Sequence, residues 1–161
     1  MAEITPLMLI ALDDADLAVM SAHLQDAVVR VGDMAYLPRH KRFATVLNRF
    51  DWMTVATSGG KSDEVLRRRS GLRFERVLAA RLSGIDLKSQ NSFLSLLAIT
   101  MTRAGEADPG GRVRLDFSGG AAIELDVECI EAELKDLGAA WRAKRRPVHE
   151  DDDGQGRRGS S

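Results

Sequence analysis

The stretch from residue 112 to 127, RVRLDFSGGAAIELDV, most constrains what this chain can fold into. Apolar residues alternate with polar ones on both sides of a Gly119-Gly120 pair, and most of the polar residues are charged. Alternation with a period of two is typical of a strand with one face on a core, and adjacent glycines supply the positive φ angles of a tight turn. The stretch therefore predicts an antiparallel hairpin with these inward side chains: Val113, Leu115, Phe117, Ile123, Leu125 and Val127.

Further strands are predicted upstream of this hairpin. The apolar run at residues 7–12 predicts a short buried strand. Residues 34–37 and 42–52 flank a proline-containing turn and predict a second hairpin. Residues 71–85 alternate and then shift phase near Val77, which indicates a strand with a bulge or bend. Residues 92–102 fit either a helix or a strand, and their β-branched residues favour a strand.

Two helices are predicted beside the strands. Asp13 is suited to be the N-cap of a helix whose apolar stripe runs from Leu17 to Val28 and which ends near Gly32. Residues 129–138, CIEAELKDLG, predict a C-terminal helix with Gly138 as its stop. The expected fold is α+β, a bent antiparallel sheet or partly open barrel with one helix in the N-terminal half and one at the C-terminus. The polar, glycine-containing residues 54–69 are expected to form a loop.

The chain length of 161 residues fits one domain, which we place at residues 1–149. Residues 150–161 contain no aliphatic or aromatic side chain. Ordering them would cost backbone entropy with almost no apolar burial in return, so they are expected to be a disordered tail.

A cytoplasmic protein without a membrane span is expected. The start of the chain lacks the basic region of a signal peptide, and the single cysteine, Cys129, cannot form an internal disulfide. The longest uncharged run, residues 89–102, is shorter than the ~20 residues a membrane helix needs.

The charge layout suggests a binding function. Residues 39–81 hold 11 basic residues and four acids, a net charge of +7, whereas residues 117–140 hold six acids and one lysine. The planar guanidinium group of arginine suits carboxylate or phosphate. The leading hypothesis is a non-enzymatic binding or adaptor domain that uses a basic surface for a protein or an anionic ligand, with these core contacts: Arg42, Arg49, Arg73 and Arg81. The uneven charges would also suit a homodimer.

Two other functions are weighed against this one. An enzyme could use His23 with Asp26 or Asp33 as acid/base groups in a pocket between helix and sheet. No nucleophile motif, phosphate loop or Cys/His cluster occurs, so no cofactor and no metal are predicted. A weak nucleic-acid binder could stack bases on Phe43, Phe50 and Trp52, but the net charge of −1 argues against that partner.

Several segments in order resemble a bacterial family known as domain of unknown function 2948: LIALDDADLAVMSAHLQDAVV, RFATVLNRFDW, RRRSGLRFERVLAARLSGID and IELDVECIEAELKDLG, closing with RPVHE. The resemblance spans roughly residues 7 to 150. It implies a bacterial cytosolic protein and brings no activity, cofactor or catalytic residue with it. The order of helix, hairpins and C-terminal helix also resembles pleckstrin-homology-type barrels, although a helix between the first two strands departs from their pattern.

Overall fold

The computed structural model describes residues 6–51, 65–138 and 141–143, with only the backbone described for Val65 and for the last three. This part of the chain contains one α-helix, α1 (Asp14–His23), and 3-10 turns at Pro38–His40 and Ser118–Gly120. Its strands are β1 (Met8–Ala11), β2 (Val28–Leu37), β3 (Arg42–Phe50), β4 (Val65–Phe74), β5 (Val77–Ser83), β6 (Phe93–Arg103), β7 (Gly111–Phe117), β8 (Ala122–Val127), β9 (Ala132–Asp136) and β10 (Trp141–Ala143). The expected α+β class with an antiparallel sheet is confirmed at this level.

The strands form one antiparallel sheet in the order β1-β9-β4-β3-β2-β6-β7-β8-β5, with β10 paired to β4. We call β1, β9, β4, β3 and β2 the first half-sheet, and β6, β7, β8 and β5 the second. Strand β6 joins the halves, because Phe93–Ser95 pair with β2 and Leu96–Arg103 pair with β7. The hairpin predicted around Gly119-Gly120 is confirmed as β7 and β8, and so is the hairpin of β2 and β3. Residues 93–103 are a strand, as expected.

The halves also meet at a corner where β4 turns into β5. The Glu75 N–H donates to the Glu131 carbonyl at 2.8 Å, and the Glu128 N–H donates to the Arg76 carbonyl at 3.0 Å. The β4/β9 pair thus continues into the β5/β8 pair, with Arg76 in the left-handed region at φ 62°. The phase shift expected near Val77 is therefore a corner between two strands.

Helix α1 begins as predicted and ends earlier. The Asp13 carboxylate caps it by accepting from the Asp16 N–H at 2.8 Å. The prediction that it runs to Gly32 is wrong, because the chain leaves the helix after His23 and enters β2 at Val28. Val28, Val29 and Val31 are β-branched, and such residues favour a strand over a helix. At Val28 and Val29, β2 has a strand on each side.

The helix covers a strand edge. The Ser21 hydroxyl accepts from the Ile99 N–H at 2.9 Å, at the part of β6 that no longer pairs with β2. Leu17, Met20 and Leu24 lie in the core beneath it. A helix in this position prevents the edge of β6 from pairing with another chain.

The predicted C-terminal helix is wrong, because residues 132–136 form strand β9. Ala132, Leu134 and Asp136 are buried, whereas Glu133 and Lys135 between them are more exposed. The spacing of Ile130 and Leu134 fits a helical face and a strand face equally well. Pairing with β1 on one side and β4 on the other decides for the strand.

Two further expectations concern segments that are only partly described. Residues 65–69 belong to β4, so the predicted loop is wrong there, and residues 52–64 lie outside the described part of the chain. The tail at 150–161, and with it the domain boundary, also lies outside and stays a prediction.

Candidate functional site

A group of buried charged side chains lies on the inward face of the first half-sheet. Asp136 accepts hydrogen bonds from Arg49 Nε at 3.1 Å, Arg49 Nη2 at 3.0 Å and Ser70 Oγ at 2.7 Å. The Asp136 carboxylate also accepts a hydrogen bond from the Leu7 N–H, through Oδ2, at 2.6 Å. Arg68 donates through Nε to Asp51 at 3.1 Å. We call Arg49, Asp51, Arg68, Ser70 and Asp136 the ionic network.

The network is closed to solvent and has no net charge. The side chains of Arg49 and Arg68 are 3% and 2% exposed, and that of Asp136 is fully buried. Burial would raise the pKa of Asp136, but hydrogen bonds from Arg49, Leu7 and Ser70 outweigh it, and the pKa is lowered. The network therefore stabilises the fold above the ordinary pKa of an aspartate, and this stabilisation is lost as the pH falls through the lowered value.

Sequence reasoning missed most of the network. Arg49 was predicted as a surface contact, whereas it lies inward on β3 in line with Phe43, Thr45 and Leu47. That position was the available signal, since an arginine at an inward position of a strand requires a buried acid. Its acid, Asp136, is 87 residues away in the chain.

His23 lies at the end of α1, close enough to the network to be affected by its charges. Partial burial lowers the pKa of His23, and Arg49 lowers it further, while Asp51 and Asp136 oppose the shift. The structure does not join His23 to the expected carboxylates: Asp26 is exposed just after the helix, and Asp33 pairs with Arg30 at 2.9 Å. In the described part of the chain, no hydrogen bond links either aspartate to the histidine.

The four expected surface arginines do not share one surface. Arg42 and Arg73 both bind Glu75, at 2.8 Å and 2.7 Å, and Arg73 also binds Glu133. Arg49 is in the ionic network, and Arg81 lies on the second half-sheet. Each of the four is paired with an acid, so these four guanidinium groups do not form a free basic face.

Arg81 belongs to a ladder of ion pairs on the outer face of the second half-sheet. It binds Asp126 with two hydrogen bonds of 2.9 Å and 2.8 Å, and Arg112 binds the same carboxylate at 3.1 Å. Arg114 binds Asp116 and Glu124, each at 2.7 Å. The ladder lines part of an open cleft of about 770 Å³ that also includes Leu78.

Asp126 should titrate at unusually low pH. The hydrogen bonds from Arg81 are the largest cause that lowers its pKa from 3.8 to about 2. The folded pKa lies below the unfolded one, so this pair stabilises the fold above pH 3.8 and loses that effect as the pH falls toward 2. Titration of the carboxyl carbon by NMR should give a value near 2 in the native chain.

The variant Arg81→Gln should move the pKa of Asp126 back toward 3.8. Arg39→Gln is the matched control, because Arg39 is exposed on the 3-10 turn away from Asp126, and it should leave the value unchanged. A pKa near 3.8 for Asp126 in the native chain would contradict its ion pairs with Arg81 and Arg112.

The remaining candidates concern metal binding, base stacking and membrane insertion. Among the described residues, no group of three or more His, Cys, Asp or Glu side chains is placed to hold a metal ion. Phe43 and Phe50 are buried, so neither offers a ring face to a base, and the guanidinium of Arg67 lies 4.6 Å from the centre of the Phe50 ring. Trp52 lies outside the described residues. No helix in the described ranges has the length and apolar character to cross a membrane.

These features define an antiparallel α+β domain whose charged side chains are largely bound to one another. The chain belongs to the family described as "Protein of unknown function (DUF2948)", whose model matches residues 7–149. The predicted family membership is thereby confirmed. Searches among curated proteins and among solved structures gave no match, and the likeness to pleckstrin-homology-type barrels stays a prediction.

Proposed function

We propose that this chain is a non-enzymatic binding domain whose ligand is another polypeptide. One observation carries the proposal: the described surface exposes large apolar side chains, whereas most of its arginines are engaged with acids. The exposed apolar residues are Met8, Ile10, Leu12, Val19, Leu37, Leu78, Leu82, Leu87, Phe93, Leu97 and Leu137.

The paired arginines weaken the case for a free anion as ligand. A phosphate or carboxylate would have to share the guanidinium groups of Arg42, Arg73 and Arg81 with the acids that they already bind, or exchange with those acids, and these carboxylates would repel it. An apolar contact requires no such exchange, because covering an exposed Leu or Phe removes apolar surface from water. The surface therefore favours a ligand with apolar side chains, as a polypeptide has.

The enzyme alternative has less support. A general base must reach its substrate with a free lone pair, and the carboxylate of Asp136, whose charge acts on His23, already accepts four hydrogen bonds from Arg49, Ser70 and Leu7. Burial of the network also leaves little room for a substrate. His23 remains an acid/base group without an organised partner in the described residues.

Selection from a phage-displayed library of random peptides on the immobilised full chain tests the proposal. We expect enriched peptides rich in aliphatic and aromatic residues, binding in solution at micromolar concentration. Because apolar contacts are not screened by ions, the Kd should change less than about threefold between 50 and 500 mM NaCl.

Two results would contradict the proposal. One is the absence of any enriched peptide that binds in solution. The other is enrichment of acidic peptides alone, with affinity that falls steeply as salt rises, which would restore the arginine-based hypothesis. The variant His23→Ala is the control for the enzyme alternative and should bind the same peptides.

A further inference from the structure

Two strand edges border one opening in the sheet. Strand β2 pairs with β3, but its other edge pairs with β6 only through Val28–Arg30. Strand β5 pairs with β8 along one edge, and among the described residues no strand pairs with its other edge. Among the described residues, one edge of β2 therefore lacks a strand partner from Asp33 to Leu37. One edge of β5 lacks a strand partner from Leu78 to Ser83.

Hydrogen bonds close both ends of this opening. At one end, the Val77 N–H donates to the Lys41 carbonyl at 2.9 Å. At the other end, the Val31 N–H donates to the Ser92 carbonyl at 2.9 Å, and the Gly32 N–H donates to the Gln90 carbonyl at 2.8 Å. The chain thus runs around the opening as a continuous rim formed by β5, residues 84–92, β2 and the 3-10 turn at Pro38–His40.

The floor of the opening is apolar and incompletely covered. Strand register places Met34 and Tyr36 opposite the buried Thr45 and Phe43, and Ala80 opposite the buried Leu125, so all three face inward. Together with Ile85, they are partly buried and pack against the core. On the rim, Leu37 is 40% and Leu82 is 37% exposed.

We propose that an extended segment of a partner polypeptide adds to the free edge of β5 and covers this floor. The inference rests on the proposed function and names its site. Alternate residues of an edge strand direct their N–H and C=O groups outward, and an extended backbone satisfies them in a regular ladder. Alternate side chains of the added strand would then face Met34, Tyr36 and Ala80, so the partner segment should carry apolar residues at every second position.

The structure favours a flexible segment over a second folded copy. In each copy the free edge of β5 faces the opening, and β2, the 3-10 turn and residues 84–92 form the other sides of that opening, so two folded copies would have to insert their β5 edges into each other's openings. The chain's own end is also a poor occupant, because residues 144–161 contain a single aliphatic residue, Val148. An unfolded stretch of another protein meets neither obstacle.

The test uses the peptide with the highest affinity from the library selection and the full chain. Amide hydrogen exchange followed by NMR should show new protection at alternate residues of 78–83 when the peptide binds. Replacing the central residue of the peptide by proline, which removes an N–H and is disfavoured within a ladder, should weaken binding at least tenfold.

Protein variants separate this site from others. Leu82→Lys should weaken peptide binding at least tenfold, because it places a charge at the rim. Val19→Lys is the matched control: Val19 is 51% exposed on α1, away from the opening, and its replacement should change the Kd less than twofold. Both positions are exposed, and unchanged thermal unfolding would show that both variants fold.

The outcomes distinguish the two proposals. A peptide that binds while its protection maps outside β5, or one that Leu82→Lys leaves unaffected, would overturn the strand-addition site and leave the polypeptide-binding function in place. Failure to select any binding peptide would overturn both. Dimerisation of the full chain that protects the same β5 amides without peptide would identify a second copy as the occupant instead.

Discussion

Replacing Asp136 by alanine is expected to lower the free energy of unfolding by about 3–5 kcal/mol, the usual effect of removing one partner from a buried ion pair. The substitution leaves the Arg49 guanidinium buried without its acid, and it removes the acceptor for Ser70 Oγ and the Leu7 N–H. Because these donors come from β3, from β4 and from the residue just before β1, the loss affects the attachment of three strands at once. Urea denaturation followed by circular dichroism measures the change.

Lys135→Ala is the matched control, because Lys135 is the exposed neighbour on the same strand; its effect should stay within about 0.5 kcal/mol. The double variant Arg49→Met with Asp136→Leu removes both charges and should be more stable than Asp136→Ala alone. If Asp136→Ala unfolds at the same urea concentration as the native chain, the network does not hold these strands together.

Replacing Gly111 by alanine is expected to lower the free energy of unfolding by about 1–3 kcal/mol, the usual cost of overpacking. A Cβ at this position would overlap the Thr102 carbonyl oxygen and come within 2.9 Å of the Arg103 Cα. Both obstacles are backbone atoms of β6, so they cannot move aside as a side chain would. The β6/β7 ladder would have to separate at the Arg103–Gly111 pair.

Gly105→Ala is the control for this prediction. Gly105 lies in the same β6–β7 connection, but its added Cβ would meet nothing closer than the Asp108 Cβ at 3.8 Å. That variant should match the native stability within about 0.5 kcal/mol. Equal unfolding midpoints for the two alanine variants would show that the connection adjusts more freely than the structure indicates.

The features that could be read from the chain alone are those set by neighbouring residues. The alternation around Gly119-Gly120 led to β7 and β8, because both the inward positions and the turn lie within 16 residues. The Asp13 cap was found for the same reason, since its partner is the Asp16 N–H three residues on. Short-range hydrogen bonds and a period of two do not depend on the rest of the fold.

The errors arose where one local pattern fits two structures. The residues of β9 match a helical stripe, and Val28 continues the apolar spacing of α1, yet both segments are strands because neighbouring strands bond to them. The sequence showed that residues 39–81 are basic, but not which acids Arg42, Arg73 and Arg81 would meet in the folded chain.

By itself, then, the sequence determined an antiparallel α+β domain, the turn at Gly119-Gly120, the start of α1 and the family. Only the tertiary structure decided where the helix ends, that β9 is a strand, which arginines are buried, and that an opening lies between β2 and β5. The physical reason is the range of the interactions. Asp136 meets Leu7 and Arg49 across 129 and 87 residues, and no local pattern specifies which of the chain's acids and arginines will be brought together when distant strands pair.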